Sequence, residues 1–279
     1  MTLDRLTQRM QRWSTSIMMR EAYARLPTRD IEVLSRNAKF ANAHRGERAF
    51  VIGNGPSIQE QDLTLLADEH TFAVNAFWKH PINEQWQPSY YFVTDGVFYD
   101  GGESSRSFFA QMAEHVTKST FFAPVQFANL IADGELLPEA STHYLAIDAQ
   151  LATAPVDRID LTRVVPSPTT VLQTALLAAI AMGCSPIYVI GADHSWLQTI
   201  DEAIDPHFYE GKTLQHLADD VKNNPHRRDY LGTMDYVRSV WLGHVAVRRL
   251  ALSAGLEVYN ATAGGLLDVY PRRAYEDLF

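Results

Sequence analysis

The sequence predicts an α/β protein: a Rossmann-like, mostly parallel sheet with helices on both faces, preceded by an N-terminal helical extension. Two observations carry this prediction. Short apolar runs, typical of buried parallel strands, alternate along the chain with longer segments of helical periodicity. Several of these runs end abruptly in glycine or a small polar residue, as strands do where they lead into ligand-binding turns. We therefore assign residues 1–45 to the extension and residues 46–279 to one Rossmann-like domain.

The composition narrows the classes of protein that the chain can represent. Of its 279 residues, 46% are hydrophobic and 20% charged, which is ordinary for a globular protein. The net charge of −9 argues against a general nucleic-acid binder. Cys184 is the only cysteine, which excludes an intrachain disulfide and a thiolate metal cage and fits a reducing cytoplasm. With no signal-peptide pattern and no apolar segment long enough to span a bilayer, we expect a cytoplasmic protein.

In the N-terminal extension, the residue pattern predicts one helix over residues 3–26 and a second over 31–43, separated by a break at Pro27. The first helix carries an apolar stripe at helical spacing, formed by Leu6, Met10, Trp13, Ile17 and Met18. Acidic and basic residues are mixed around it, which favours packing on the core or on a second subunit over a membrane-surface helix. A homo-oligomer and peripheral association with the inner face of the membrane stay open.

The glycine turn after the apolar run 49–52 is the strongest local signal in the sequence. Gly53 and Gly55 permit a tight turn with close backbone approach to a ligand, and Pro56 follows them. Ser57 and Glu60 have the spacing of a capping box, so a helix is predicted to begin here. The first amides of such a helix favour a phosphate, and capping and ligand contact are both open for Ser57.

Three more strands are predicted to deliver polar residues to the same edge of the sheet. The run 71–74 ends at Asn75, where a nicotinamide-binding protein would carry an acid, so a dehydrogenase is disfavoured. The strand over 90–96 delivers Thr94 and Asp95, and the strand over 257–260 leads into a turn with Asn260 and Thr262. Residues 126–163 are mixed in character and are predicted to form a less regular insertion or lid.

The segment 167–194 forms a second strong unit of helix, turn and strand. Ser167 is predicted to cap the helix, which places Thr169 and Thr170 in its first turn and offers a second anion-binding N-terminus. The buried strand over 187–191 ends in Gly191 and delivers Asp193 and His194. Because ligands bind at the carboxyl ends of strands in open α/β sheets, these residues are candidate nucleotide ligands.

Taken together, these motifs resemble a known group of bacterial proteins. The turn 53–57, the strand end at Asn75, the segment 191–194 and the segment 260–265 are similar to hydroxymethylpterin diphosphokinase-like, or motility-accessory-factor-like, proteins of polysaccharide and flagellin-glycosylation gene clusters. They also resemble the bacterial sialyltransferases that use CMP-sialic acid (glycosyltransferase family 42). The resemblance runs from about residue 48 to the end of the chain.

The resemblance implies a glycosyltransferase that takes a nucleotide-activated sugar, most simply a CMP-activated acidic sugar of the sialic-acid or Kdo type, and builds a bacterial surface glycan. A glycan or glycolipid would be the acceptor, and no metal cofactor would be required. Asn54, Ser57 and Asn75 would contact the nucleotide, together with the helix start at Thr169 and Thr170. His207, followed by Phe208 and Tyr209, matches the general base of the mobile loop.

The chemistry of glycosyl transfer is consistent with these residue types. An acceptor hydroxyl is weakly acidic, so a base is needed, with His207 the first candidate and His194 the second. The amides of Gly55 and Ser57 and the Tyr209 hydroxyl are predicted to stabilise the leaving phosphate. Two alternatives stay open. One is an ATP-dependent 6-hydroxymethylpterin diphosphokinase with Mg²⁺ on Asp95 and Asp193, and the other is a non-catalytic nucleotide-binding scaffold.

Overall fold

The computed structural model describes residues 3–148, 156, 158–166, 169–196, 207–208 and 230–279, and it confirms the predicted fold class. Eight strands form one sheet in which every neighbouring pair is parallel. The strands are β1 (Ala49–Ile52), β2 (His70–Val74), β3 (Tyr90–Phe92), β4 (Thr120–Pro124), β5 (Thr142–Asp148), β6 (Val164–Pro166), β7 (Ile187–Ile190) and β8 (Val258–Asn260). The described α-helices are α1 (Leu3–Ala24), α2 (Thr28–Ser35), α3 (Glu103–His115), α4 (Ala128–Asp133), α5 (Val171–Ala181) and α6 (Tyr230–Ser253).

Both faces of the sheet are buried, which explains why its strands are apolar at almost every position. In β1 the side chains of Ala49 and Val51 pack on one face, in the core cluster that contains α5 and part of α6. Phe50 and Ile52 point to the other face, where the core cluster includes residues of α3. Burying a phenylalanine of this kind contributes about 1.5–3 kcal/mol to stability. Helices therefore cover both faces, as the sequence predicted.

The order of the strands creates a topological switch point beside β1. The order across the sheet is β6-β5-β4-β3-β2-β1-β7-β8, so the chain moves away from β1 in one direction with β2 and in the other with β7. In open α/β sheets the crevice at the carboxyl ends of such strands is where ligands bind. The glycine turn lies at this position because it directly follows β1.

Several local predictions are corrected by the structure. The segment 126–163 is not wholly irregular, because α4 and β5 lie in its described part and β5 pairs with β4. The capped α-helix predicted at Ser57 is a short 3-10 helix, Pro56–Glu60, without a side-chain cap. The helix predicted to be capped by Ser167 begins at Val171, with Thr170 at its N-cap position.

The N-terminal helices contact one edge of the sheet. Leu34 of α2 is buried against residues of β5 and β6, and Met19 and Tyr23 of α1 join that cluster. Met10 and Trp13 of the predicted apolar stripe are 64% and 70% exposed, so the prediction that the stripe packs on the core is wrong for them. Met18 is also exposed. The domain boundary at residue 45 and packing on a second subunit stay predictions. No helix in the described part of the chain could cross a membrane.

Candidate functional site

A cavity of about 720 Å³ opens at the carboxyl end of the sheet, at the switch point beside β1. We call it the central cavity. Most residues proposed from the sequence as ligands or bases line it: Gly53, Asn54, Gly55, Asn75, Thr94, Asp95, Thr169, Thr170, Gly191, Asp193, His194 and His207. They come from the turns after β1, β2, β3 and β7, from the start of α5 and from the segment 207–208. The parallel topology therefore brings together residues that are up to 154 positions apart (207 minus 53).

Glycines let the turns after β1 and β7 pack directly against each other. A Cβ atom at Gly53 would overlap the carbonyl oxygen of Gly191, and one at Gly55 would overlap the carboxylate of Asp193. Gly191 also has a φ of +63°, in the left-handed region that favours glycine. These glycines are thus required for the contact between the two turns. The sequence analysis predicted instead that they allow a ligand to approach the backbone.

Asp193 holds the glycine turn in place. Its Oδ2 accepts a hydrogen bond from Ser57 Oγ at 2.7 Å, and its Oδ1 accepts one from the Ser57 amide at 3.2 Å. Burial raises the pKa of this carboxyl, and the two hydrogen bonds from Ser57 oppose that shift. Ser57 therefore anchors a carboxylate and does not cap a helix, which corrects the capping-box prediction.

The amides predicted to stabilise a leaving phosphate already have partners. The Gly55 amide donates to the carbonyl of Gly191 at 2.9 Å, and the Ser57 amide donates to Asp193. A hydrogen-bonded amide offers little to an incoming anion, which argues against these two groups, and their role at a leaving phosphate stays a prediction. The 3-10 helix that follows is also too short to supply a helix dipole.

The N-terminus of α5 lies at the central cavity. Val171 and Leu172, its first two residues, line the cavity with Thr169 and Thr170. This 11-residue helix directs its positive dipole end toward the cavity. Gln173 fixes the approach to the helix, since its Oε1 accepts from the Thr169 amide at 3.0 Å and its Nε2 donates to the Val240 carbonyl of α6 at 2.8 Å.

Three buried polar atoms around the central cavity have no hydrogen-bond partner in the described part of the chain. They are Asn54 Oδ1, Asn75 Oδ1 and Thr170 Oγ1. The amide orientation of Asn54 is fixed, because its Nδ2 donates to the Val74 carbonyl at 3.1 Å. A buried polar atom without a partner costs roughly 1–3 kcal/mol, and all three of these atoms belong to residues that line the cavity. Three further unpartnered atoms, on Gln61, Trp78 and Asn83, belong to residues that do not line the cavity.

The two candidate bases occupy different environments. His207 is exposed at the cavity, and its neighbour Phe208 is tied to the glycine turn by an amide hydrogen bond to the Asn54 carbonyl at 2.9 Å. His194 is only 8% exposed, and burial lowers its pKa to about 4. A general base works best with a pKa near the working pH, so burial disfavours His194 in this role. Tyr209 lies outside the described residues.

His194 belongs to a buried hydrogen-bonded chain behind the cavity. Its Nε2 lies 2.8 Å from Nε2 of His244, and Nδ1 of His244 lies 3.0 Å from the Tyr270 hydroxyl. When both imidazoles are neutral, each of these two contacts contains one hydrogen, so each contact can be a hydrogen bond with one donor and one acceptor. Desolvation lowers the pKa of His244 well below its ordinary value, and the neighbouring His194 lowers it further.

These neutral histidines predict a loss of stability in acid. In the unfolded chain His194 binds a proton near its ordinary pKa of 6.5, whereas in the folded protein it does so only near pH 4. The unfolded state therefore binds more protons as the pH falls through this window, and the free energy of unfolding decreases by roughly 3 kcal/mol from His194 alone. Urea unfolding between pH 7 and 4 measures this slope. The variant His194→Gln should flatten the slope, and an unchanged slope would contradict the assignment.

Four predicted nucleotide ligands do not line the cavity. Ser57 is turned toward Asp193, and Pro56 begins the 3-10 helix beside it. Asn260 donates from Nδ2 to the Leu267 carbonyl at 2.7 Å and accepts at Oδ1 from the Thr262 amide at 2.9 Å. Thr262 Oγ1 accepts from the Ala192 amide at 3.1 Å. The polar groups of Asn260 and Thr262 thus hold the turns after β7 and β8, and a ligand role for these four residues stays a prediction.

The structure also adds residues to the cavity that the sequence did not indicate. Gly232, Thr233 and Tyr236 reach it from the first turns of α6, which begins at Tyr230. Ile147 of β5, Ser195 and Trp196 also line it. Gly232 and Thr233 in its first turn are weak helix formers, so the start of α6 is hard to find from sequence.

The two acids proposed as Mg²⁺ ligands lie at the cavity in different states. Asp193 is engaged by Ser57 through both oxygens, and Asp95 Oδ1 accepts from the Val97 amide at 3.3 Å. Within the described ranges, neither acid belongs to a group of three metal-ligating side chains.

Comparison with known proteins supports the fold. The sequence matches no protein-family model and no curated protein sequence. The structure is similar to that of the MAf glycosyltransferase from Magnetospirillum magneticum AMB-1, with a TM-score of 0.51 and 14% identity over 90% of this chain. This chain spans only 39% of the length of that protein.

Two sialyltransferase structures are more distant. The sialyltransferase CstII from Campylobacter jejuni, in complex with the substrate analogue CMP-3FNeuAc, gives a TM-score of 0.49 at 14% identity. A CST-II variant in complex with CMP gives 0.49 at 15% identity. In both cases the match covers 82% of this chain and 86% of the other. At sequence identities this low, the comparison is evidence for the fold alone.

Proposed function

We propose that the chain is a glycosyltransferase that binds a nucleotide-activated sugar in the central cavity, with a CMP-activated acidic sugar as the favoured donor. The observation that carries the proposal is the group of three unpartnered acceptor atoms, on Asn54, Asn75 and Thr170, beside the N-terminus of α5. The similarity of the fold to a glycosyltransferase supports the reaction class. The sequence motifs described above support the cytidine nucleotide.

The chemistry of the cavity matches the parts of a nucleotide. Amide oxygens of Asn54 and Asn75 accept hydrogen bonds, which ribose hydroxyls and the exocyclic amine of cytosine donate. The N-terminus of α5 attracts the negatively charged phosphate. A cavity of about 720 Å³ has the size of a small-molecule site and leaves space for the sugar beside the nucleotide.

In the proposed reaction the acceptor oxygen forms a bond with the anomeric carbon of the donor as the bond from that carbon to the phosphate oxygen breaks. The His207 imidazole takes the proton of the acceptor hydroxyl, and the electron pair of the broken bond leaves with the nucleotide. Negative charge develops on the phosphate at this stage, and the helix N-terminus at Val171 stabilises it. The acceptor is proposed to be a glycan or glycolipid, and the product a bacterial surface glycan.

A thermal-shift panel of CMP, CDP, UDP, GDP and ATP tests the donor. A ligand that binds only the folded state raises its stability, by about 2.7 kcal/mol at one hundred times its dissociation constant. We expect CMP to raise the Tm most, with and without EDTA. Stabilisation by ATP alone, lost in EDTA, would favour the diphosphokinase instead, because Asp95 and Asp193 line the same cavity. No stabilisation by any nucleotide would contradict the proposal.

Thr170→Val separates ligand binding from folding. Valine has the shape of threonine without the hydroxyl, and Thr170 Oγ1 makes no hydrogen bond that would be lost from the ligand-free protein. We expect the free energy of unfolding to rise by up to about 1 kcal/mol, while the affinity for CMP falls up to about tenfold. Urea unfolding and calorimetric titration measure the two effects. A loss of stability with unchanged affinity would exclude Thr170 as a ligand.

A further inference from the structure

A second cluster of titratable side chains lies at the amino end of the sheet, away from the central cavity. His44 and Glu47 belong to the turn before β1, and His70 is the first residue of β2. Nδ1 of His44 lies 3.1 Å from Glu47 Oε2, and Nε2 of His70 lies 2.5 Å from the same oxygen. The three ligand atoms all lie within 4.8 Å of one another. Two imidazole nitrogens therefore converge on one carboxylate oxygen.

The backbone that carries this cluster is fixed by the fold. The His44 amide donates to the Met182 carbonyl and the Gly46 amide to the Gly183 carbonyl, both at 2.9 Å. The Ser185 amide donates in turn to the Glu47 carbonyl, also at 2.9 Å. His70 is held in register by pairing of β2 with β1. The three side chains thus project from backbone positions that are set without help from a ligand.

Tyr90 provides a partner for the remaining nitrogen of His44. The Tyr90 hydroxyl, at the start of β3, lies 2.6 Å from His44 Nε2. Histidines that bind metals usually donate their second ring N–H to an oxygen, which fixes the ring orientation and frees the other nitrogen as a ligand. In this arrangement His44 Nδ1 presents its lone pair to the point where His70 and Glu47 meet.

We propose that His44, Glu47 and His70 bind one divalent transition-metal ion, for which Zn²⁺ is the natural probe. Two imidazoles and one carboxylate form a donor set that suits zinc, at about 2.0–2.2 Å from each ligand atom. Ligand atoms in such a tetrahedral site are separated by roughly 3.3 Å, close to the spacing of His44 and Glu47. The Glu47 side chain is 56% exposed and can withdraw as the ion enters. Water takes the fourth position.

The metal is a link between elements and has no part in the reaction at the central cavity. It joins the turn before β1 to β2, and through Tyr90 to β3. The central cavity lies at the other, carboxyl end of these strands. The proposal therefore stands independently of the glycosyltransferase assignment, and zinc should raise the stability of the fold without being needed for nucleotide binding.

Calorimetric titration of the EDTA-treated, dialysed protein with ZnCl₂ tests the site. We expect one zinc ion per chain and an increase in Tm, with no binding of Mg²⁺ or Ca²⁺ at the same concentration. Glu47→Gln and His70→Gln should each abolish the stoichiometric site, and Tyr90→Phe should weaken it by about 10–100-fold. His115→Gln is the matched control, because His115 is exposed at the end of α3 and lies outside the cluster.

A loss of zinc binding in these variants must not result from unfolding. Glu47 is exposed, so Glu47→Gln should keep the circular dichroism spectrum and the cooperative melt of the EDTA-treated parent. Binding of one zinc ion that persists unchanged in Glu47→Gln and His70→Gln would overturn the proposal. So would the absence of stoichiometric zinc binding in the parent protein, whatever its activity with nucleotide sugars.

Discussion

Replacing His207 with alanine is expected to lower the turnover of a CMP-activated sugar by about 10²–10⁴-fold, the usual contribution of a general base. The acceptor hydroxyl would then have to lose its proton without a positioned base. Because His207 is exposed, the substitution should leave the fold and its cooperative unfolding intact. The CMP-induced Tm shift should also persist, since His207 is proposed to act on the acceptor. Release of CMP from CMP-sialic acid, with and without acceptor, measures the rate.

Two variants serve as controls for His207→Ala. His115, like His207, is exposed, but it does not line the cavity. Turnover in His115→Ala should therefore stay at the parental level. His194→Gln tests the second candidate base, whose pKa of about 4 makes it a weak base at neutral pH. Parental turnover in His207→Ala together with loss of turnover in His194→Gln would transfer the role to His194. Parental turnover in both variants would contradict a histidine base.

Replacing Asp193 with alanine is expected to remove nucleotide binding and to lower the free energy of unfolding by about 2–3 kcal/mol. The Ser57 hydroxyl and amide both donate to this carboxylate, and each would be left without an acceptor. The glycine turn packs against Asp193 at Gly55, so the turn would also lose its support. Urea unfolding and the CMP thermal shift measure the two losses.

A double-mutant cycle isolates this interaction. Ser57→Ala should cost about 1 kcal/mol, because the Ser57 amide still donates to Asp193. Adding Ser57→Ala to Asp193→Ala should then cost little more, since the hydroxyl has already lost its partner. Fully additive losses would mean that Ser57 and Asp193 do not act as a pair. If Asp193→Ala keeps the full CMP-induced increase in Tm, nucleotide binding by the glycine turn does not depend on this carboxylate.

The sequence was sufficient to predict the sheet and the cavity edge because both depend on short-range patterns. The run 49–52 is apolar at every position and ends in glycine, and the structure has a strand there with the same bounds. The strand β5 was missed because its apolar run, 144–147, is short and is flanked by the polar residues Thr142, His143 and Asp148.

The side-chain partners at the site were not predictable from local patterns. Ser57 and Glu60 fit a capping box, yet Ser57 donates to Asp193, which is 136 residues away. The hydrogen bonds of Asn260 and Thr262 likewise depend on how the turns after β7 and β8 meet. Polar strand ends therefore predict which residues gather at an edge, but not which of them a ligand can still reach.

The central claim is that the central cavity holds a nucleotide through atoms that the fold leaves without partners. A crystal structure of the protein with CMP is the most direct test. We expect the base and ribose to donate hydrogen bonds to Asn54 Oδ1, Asn75 Oδ1 and Thr170 Oγ1, with the phosphate at the amides of Val171 and Leu172. A nucleotide bound elsewhere on the protein, with these three oxygens still unpartnered, would contradict the claim.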